Sequence, residues 1–389
     1  MSSPRLRRQT LVMAGVLVLA LLVRLLLLSH VTLDYQDFLS KWVEHFRQHG
    51  GFAALRDPVG NYNVTYLYLL AFLSYLPFPD LYGIKLFSIL FDLLLAWGGY
   101  RLAKRLSDRE WAPAAAFSVL LLLPTVVLNG SCWGQCDSVW AALCVLALAC
   151  ALEDKPWRSL ILLGLAFSFK LQAIFIIPLW LPLWIRGKVR FRHLWAFPAA
   201  FLAAISPTLL LGKPLKDILG VYLGQTSDSM AWGTLNYNSP SVFTLFPYGT
   251  QFPPAAPKLA ILAAFLFMAF ILFLLLRNPR RITDRSWVLA AACLSLGIPF
   301  FLPYMHERYF FLGGVLLAVW ASIRPRHAAA AAAAELASLG GYHAYLMRRY
   351  LLVLPLFGCT WTQLTEGLLM AAALTYATAS LITELQTDA

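Results

Sequence analysis

Apolar and polar residues fall along this chain in long blocks. Nearly unbroken apolar runs cover about 10–30, 82–102, 111–128, 136–152, 194–211, 257–276, 286–302 and 310–323, with short polar segments between them. A helix needs roughly 20 apolar residues to cross a hydrocarbon core about 30 Å thick, so each block predicts a membrane span. With a pair of short helices over 160–184 and an alanine-rich C-terminal part adding one or two more, the expected fold is all-α: a polytopic membrane protein with about 10 to 12 transmembrane helices.

Three segments break the simple pattern. Residues 34–49 place Phe38, Trp42, Val43 and Phe46 on one helical face and Asp37, Lys41, Glu44 and Arg47 elsewhere, the division of a helix lying in a membrane interface. Tyr62 to Leu76 is aromatic-rich and too short to span, and is read as a second interfacial helix. Residues 160–184 lie between two basic clusters that must share one face of the membrane, so they are expected to enter and leave on the same side. That requires a turn near Lys170 to Gln172, tolerable only where it is buried in protein or faces a water-filled cavity.

Composition supports this picture. Hydrophobic residues make up 60% of the 389 and charged residues 13%, which excludes an ordinary soluble domain. The net charge of +12 is dispersed in small clusters between the apolar runs, so it reads as membrane topology and not as a nucleic-acid surface. Placing those clusters in the cytoplasm leaves two large external loops, 31–80 and 212–256. The chain divides at this stage into a transmembrane module, 1–325, that includes both loops, and a C-terminal transmembrane part, 326–389. The six cysteines have neither redox nor zinc-site spacing, and buried thiols are expected.

Polar groups that hydropathy does not explain gather on the external side. The first loop supplies Asp34 and Asp37, and the second supplies Tyr222, Gln225, Asp228, Trp232, Asn236 and Tyr237. Trp133, Gln135 and Asp137 stand at the outer boundary, and His306, Glu307 and Arg308 lie between two apolar runs. Ionisable groups inside a membrane cost about 2.5–3.5 kcal/mol each on insertion scales and are functional candidates by default. Lys170 is the foremost; its plainer reading is an internal ion pair with Asp137. Arg24 and Asp92, at similar depths in the first two spans, are read as a structural pair. Asp37 has a plain reading as a solvated charge, and His306 as a structural histidine.

Four segments carry a resemblance: Asp34-Tyr35-x-x-Phe38; Trp133-Gly134-Gln135-Cys136-Asp137-Ser138; Phe167-Ser168-Phe169-Lys170-Leu171-Gln172 leading to Pro178; and His306-Glu307-Arg308-Tyr309. The second and third, at this spacing, are the specific ones. The chain resembles the GT-C superfamily of membrane glycosyltransferases, in particular the bacterial relatives of the enzyme that adds the second mannose of GPI anchors. More distantly it is similar to the ER glucosyltransferases that elaborate the lipid-linked oligosaccharide. Where those have His-Glu-Lys, this chain has His306-Glu307-Arg308.

The resemblance implies hexose transfer, most simply of mannose, from a polyprenyl-phosphate sugar to a lipid-linked or cell-envelope glycan, at the external face of a bacterial plasma membrane. It implies Asp34 as catalytic carboxylate, with Asp37 beside it, and Lys170, Arg308 and His306 at the donor phosphate. Trp133, Gln135, Asp137, Gln172, Glu307, Trp232 and Tyr237 are then candidates for substrate contact. A base taking the acceptor hydroxyl's proton during attack opposite the phosphate gives inversion. No cofactor is expected; Asp34, Asp37 and Asp137 could hold a divalent cation, but lysine and arginine make one unnecessary. The partners are the donor lipid, the acceptor glycan and membrane lipid, with no nucleic acid. The competing class is a transporter or flippase of a lipid-linked sugar, disfavoured by the one-sided loops and the lack of a convincing repeat.

The topology is directly testable in a background lacking native cysteines. Asp57→Cys and Thr226→Cys should react with a membrane-impermeant thiol reagent from the side opposite the N-terminus, and Lys188→Cys from the N-terminal side. Labelling of positions 57 and 188 from one face would contradict it.

Overall fold

The apolar blocks fold as helices because each backbone N–H and C=O then bonds within its own segment. The computed structural model describes residues 4–231, 234–247, 250–277, 282–351, 355–356 and 359–386, with backbone alone at 4–7, 225–231, 355, 356 and 359. The first half of the chain runs through α1 (Pro4–Leu27), α2 (Ser40–Gln48), α3 (Val64–Leu73), α4 (Asp80–Leu106), α5 (Ala112–Leu122), α6 (Pro124–Val127), α7 (Asp137–Leu152) and α8 (Pro156–Phe169). It continues through α9 (Trp180–Ile185), α10 (Phe191–Leu194), α11 (Ala196–Leu210), α12 (Leu215–Ala231), α13 (Ala256–Arg277), α14 (Asp284–Phe301), α15 (Phe311–Ile323), α16 (Ala328–Leu346) and α17 (Trp361–Gln386). Strands are limited to β1 (Asn236–Tyr237) beside β2 (Met305–His306), and β3 (Pro355–Leu356) beside β4 (Cys359–Thr360).

Local chemistry sets several boundaries. Pro156 opens α8 at a position where the missing N–H costs nothing. Asn63 caps α3 by accepting from the Val64 N–H at 2.7 Å, and Thr283 and Ser286 form a reciprocal cap on α14. Pro124 pushes Leu123 into an extended conformation, so the run expected as one helix over 111–128 becomes α5 and α6 with a 49° bend.

By length and composition, five helices among the described residues can cross a membrane unaided: Arg8–Leu27, Asp80–Leu106, Phe191–Leu210, Ala256–Arg277 and Trp361–Gln386. The bent α5–α6 segment can make a sixth, and α7, α8, the 171–185 stretch and α15 are shorter apolar helices. The protein is an all-α polytopic membrane protein.

The chain folds as two compact units that interleave along the sequence. The first comprises residues 1–101, 120–173 and 190–231. At its centre α7 is buried along its whole length, packs on α8, and α8 packs on α11. Two charged side chains tie α1 to α4. Arg24 meets Asp92 at 3.0 Å, donates to the Leu121 carbonyl at 2.8 Å, and shares Asp92 with the Ser138 hydroxyl at 2.5 Å, the structural pair expected. Lys85 donates to the carbonyls of Leu27, Leu28 and His30 at 3.0, 2.9 and 2.6 Å, capping the C-terminal end of α1 with positive charge.

Two loop expectations change. Residues 34–49 do form a helical segment, a π-helical turn Tyr35–Leu39 running into α2, but α3 is a packed helix with Tyr66, Leu67, Leu70 and Ala71 all buried. The second loop begins with a helix, α12, where only a loop was expected. Among the described side chains Ile218 and Tyr222 supply its buried face in the i, i+4 register, too narrow a stripe to show in the hydropathy pattern.

The second unit comprises residues 102–119, 174–189 and 232–389. Here α14 is buried from Ser286 to Phe300 and packs on α13, α15 and α17, while α16 packs on α17. A side chain at Gly341 of α16 would run into the Asn238 carbonyl and the Glu307 Cβ, so glycine is what lets this helix back the β1–β2 pairing.

Because Lys85 satisfies three carbonyls at the turn that leads to Asp34, Lys85→Met should lower the unfolding free energy by about 2–3 kcal/mol. The melting temperature of purified protein checks this; an unchanged value would show that water replaces the ammonium without cost.

Candidate active site

In the first unit, two interruptions of helix meet. After α6 the chain makes a wide π-helical turn over Leu128–Trp133 and reverses at Gly134, whose φ of 78° suits glycine. The Gln135 N–H closes the turn on the Asn129 carbonyl at 2.9 Å, and α7 starts at Asp137. The second interruption is at the end of α8. The Lys170 N–H still bonds the Ala166 carbonyl at 3.2 Å, but Lys170 itself is extended, and a 3₁₀ segment Leu171–Phe175 follows. The turn expected at Lys170 to Gln172 is present.

The two breaks are joined by charge. Lys170 Nζ lies 2.5 Å from Asp137 Oδ1, both side chains buried. Asp137 also accepts from the Trp140 indole at 3.0 Å and the Asn129 amide at 2.9 Å. Asp137 in the first turn of α7 and Lys170 at the end of α8 each face a helix dipole of favourable sign. On its other side Lys170 Nζ is 5.6 Å from the Tyr62 ring centroid. The plainer reading of Lys170 is thus realised in geometry, and a further role has to operate through that pair.

Asp34 belongs to the same network. Its Oδ2 accepts from the Trp133 indole N–H at 2.8 Å and from the Gln135 side-chain amide. Gln135 Oε1 in turn accepts from the Tyr62 hydroxyl at 2.9 Å, so Asp34, Gln135, Tyr62, Lys170 and Asp137 form one continuous set of contacts. The backbone is pinned as well: Thr32 donates to the Trp133 carbonyl at 3.1 Å and Ser88 to the Gln135 carbonyl at 2.7 Å. Beside Asp34, burial and Asp80 push the Tyr35 phenol up to about 12, which keeps it a neutral donor to Asp80 at 3.3 Å. Gln172 is buried, and its Oε1 has no hydrogen-bond partner. A buried orphan acceptor in this segment is what a ligand donor would satisfy.

Asp37 is not part of this set. It is exposed and lies 3.9 Å from Lys41, the solvated reading. Tyr222, expected in the second loop, is a buried tie: it accepts from Asn63 at 2.6 Å and donates to the Phe167 carbonyl at 2.5 Å. Gln225 and Asp228 have no described side chain, and Trp232 lies outside the described residues.

The second unit holds the other group. The parallel pairing of β1 and β2 sets Tyr237 against His306, with stacked rings 4.8 Å apart. Glu307 is buried, and Arg308 donates to it at 3.2 Å. Tyr350 donates to Asn238 at 2.6 Å and accepts from Gln363 at 2.8 Å, which anchors this loop to α17.

Sequence reasoning passed over Tyr62 and Asn129. Tyr62 looked like one of many interfacial aromatics and offered no signal. Asn129 offered one, as the amide ending an apolar run eight residues before Asp137.

A carboxylate oriented by two N–H donors, and linked through Gln135 and the Tyr62 ring to a buried ammonium, suits proton abstraction beside an anionic leaving group. The sequence model of glycosyltransferase family 87 matches residues 61–303. The chain belongs to that family. The match spans more than half of the protein and includes the Trp133–Ser138 and Phe167–Gln172 segments; Asp34 lies before it and His306–Arg308 just after it. Comparison with curated proteins finds no match. Family 87 membership makes the protein a membrane glycosyltransferase and removes the transporter alternative.

Trp133→Phe keeps an aromatic ring but removes the indole N–H, one donor to Asp34. Transfer should fall by about tenfold to a hundredfold, the usual cost of a misplaced catalytic group, with little change in melting temperature. Wild-type turnover would show that the indole contact does not orient Asp34.

Proposed function

We propose that this family 87 glycosyltransferase moves a hexose, mannose in the first instance, from a polyprenyl-phosphate sugar to a lipid-linked or cell-envelope glycan. The reaction is assigned to the external face of a bacterial plasma membrane. The observation that carries the reading is Asp34, held by Trp133 and Gln135 of the specific motif and linked through Tyr62 to Lys170. The resemblance to the bacterial relatives of the GPI second mannosyltransferase supports mannose and the carrier.

In this mechanism Asp34 takes the proton of the acceptor hydroxyl as that oxygen attacks the anomeric carbon. The glycosidic C–O bond to phosphate breaks on the opposite face, through an oxocarbenium-like state, and the configuration inverts. The departing polyprenyl phosphate gains negative charge, which a fixed cation in a low-dielectric site stabilises more than water does. Lys170 supplies that cation. Asp137 aims it, since the carboxylate is itself fixed by Asn129 and Trp140. By the resemblance, Arg308 and His306 of the second unit are assigned to donor phosphate, and Tyr237, stacked on His306, to a sugar face. Gln172, its acceptor buried and unsatisfied, suits a sugar hydroxyl or the acceptor. With lysine and arginine at the phosphate, the reading needs no divalent metal. Asp37, exposed beside Lys41, has a minor part at most.

The test is transfer by purified protein from radiolabelled mannosyl and glucosyl carrier lipids. The mannosyl lipid should be the substrate. Asp34→Asn, which keeps shape but cannot accept a proton, should lose transfer by a factor of about 10²–10⁴, and Asp37→Asn should be much milder. Full activity in a folded Asp34→Asn protein would remove the base from this mechanism.

A further inference from the structure

The second unit contains a polar site far along its helices from His306 and Arg308. Helix α14 runs from Asp284 to Phe301, about 27 Å at 1.5 Å per residue. The His306–Arg308 segment follows its C-terminal end, and α15 returns to Ile323. At the end of this hairpin marked by Thr283, Arg285 and Arg324 there are two adjoining clefts, of about 850 Å³ and 360 Å³. Arg285, Arg324 and Arg326 line both; Arg109 joins them in the smaller.

These arginines are incompletely neutralised. Among the cleft residues the acids are Glu384, 3.9 Å from Arg324, and Asp108. Nearby Asp284 is already engaged by Arg105 at 2.7 Å and Lys188 at 3.6 Å. Burial holds the Arg324 guanidinium below its ordinary basicity; Glu384 opposes this, and Arg285, Arg326 and Arg109 add to it. Like charges gathered in a partly buried cleft call for an anion.

A second observation is independent of charge. Trp320 of α15 lines the larger cleft, is buried, and its indole N–H has no hydrogen-bond partner. A buried donor left unsatisfied costs free energy unless a ligand accepts from it. The same cleft runs along α17 past Tyr376 and Ala379, on a helix long and apolar enough to span the membrane. The ligand therefore has an anionic head that accepts hydrogen bonds and an apolar remainder lying along a span. The abundance of basic residues assigns this end to the cytoplasmic side, where basic pockets between helices recognise anionic lipid headgroups.

We infer that the cleft bounded by Arg285, Arg324, Arg326 and Trp320 binds the phosphate headgroup of an anionic membrane phospholipid. This site is separate from the proposed reaction and stands or falls independently of it. Bound there, the lipid braces the α14–α15 hairpin from the end opposite its His306–Arg308 loop.

The full-length protein, delipidated in neutral detergent, would be titrated with phosphatidylglycerol, phosphatidylcholine or inorganic phosphate, following lipid adducts by native mass spectrometry and melting temperature in parallel. Phosphatidylglycerol should bind at least about tenfold more tightly than phosphatidylcholine, weaken as salt is raised, and raise the melting temperature. Arg324→Gln with Arg326→Gln should lose about tenfold or more of that affinity. Trp320→Phe, which keeps an aromatic ring but has no N–H, should lose about threefold to tenfold; with the salt dependence of the wild type it decides the matter even where the double variant does not fold. Equal retention of phosphatidylcholine, or undiminished phosphatidylglycerol binding in folded Trp320→Phe and Arg324→Gln/Arg326→Gln proteins, would overturn the inference. Inorganic phosphate giving the same thermal shift and displacing the lipid would overturn its lipid source and leave a free-anion site.

Discussion

The buried pair between Asp137 and Lys170 is the contact on which the first unit's site depends. Each residue stands at a break in helix, where backbone groups lose their partners and an apolar surrounding gives none back. Alone, either charge would be costly at such depth. Together at 2.5 Å, with Asn129 and Trp140 on the carboxylate and the Tyr62 ring beside the ammonium, they hold the start of α7 against the end of α8. The same clip fixes the turn that presents Trp133 and Gln135, and through them Asp34. Remove it, and the turn that presents Trp133 and Gln135 loses its anchor.

Other buried charges in the unit do different work. Arg24, Asp92 and Ser138 are bonded to one another and to backbone, and Lys85 is spent on three carbonyls of the α1 terminus. Apart from one Arg24 guanidinium nitrogen, which meets Asp92 only as an ion pair at 3.0 Å, their bonding closes within the protein, which is why they read as structural. Gln172 contrasts with them, because its acceptor is buried and unanswered. Depth in the membrane therefore nominates a residue, and the completeness of its bonding separates scaffold from site.

Much of this was legible in the sequence. Blocks of apolar residues gave the helices, basic clusters forced the break at Lys170, and the Arg24–Asp92 pair followed from matched depth. The motif Trp133 to Ser138 pointed to the site because tryptophan, glutamine and aspartate around a glycine have little reason to end an apolar run. What remained hidden was long-range. Nothing local tells that the Trp133 indole and the Gln135 amide close on Asp34, about a hundred residues earlier, or that Tyr62 bridges Gln135 to Lys170. Helix α12 was hidden for the opposite reason: among its described side chains the buried face is Ile218 and Tyr222, too narrow for a hydropathy pattern to reveal. The bend before Pro124 was visible in principle, since proline restricts the residue ahead of it.

The central claim is that the Asp137–Lys170 pair serves the fold and the reaction at once, with Lys170 reaching the leaving phosphate. Melting temperature and transfer rate of Lys170→Gln, Asp137→Asn and the double variant in one detergent test it. Each single change strands a buried partner and should cost about 3–5 kcal/mol of stability, part of which the double variant recovers. The account predicts that transfer stays lost in the stable double variant, because no cation is left for the phosphate. Recovery of transfer together with stability would contradict it and make the pair structural alone.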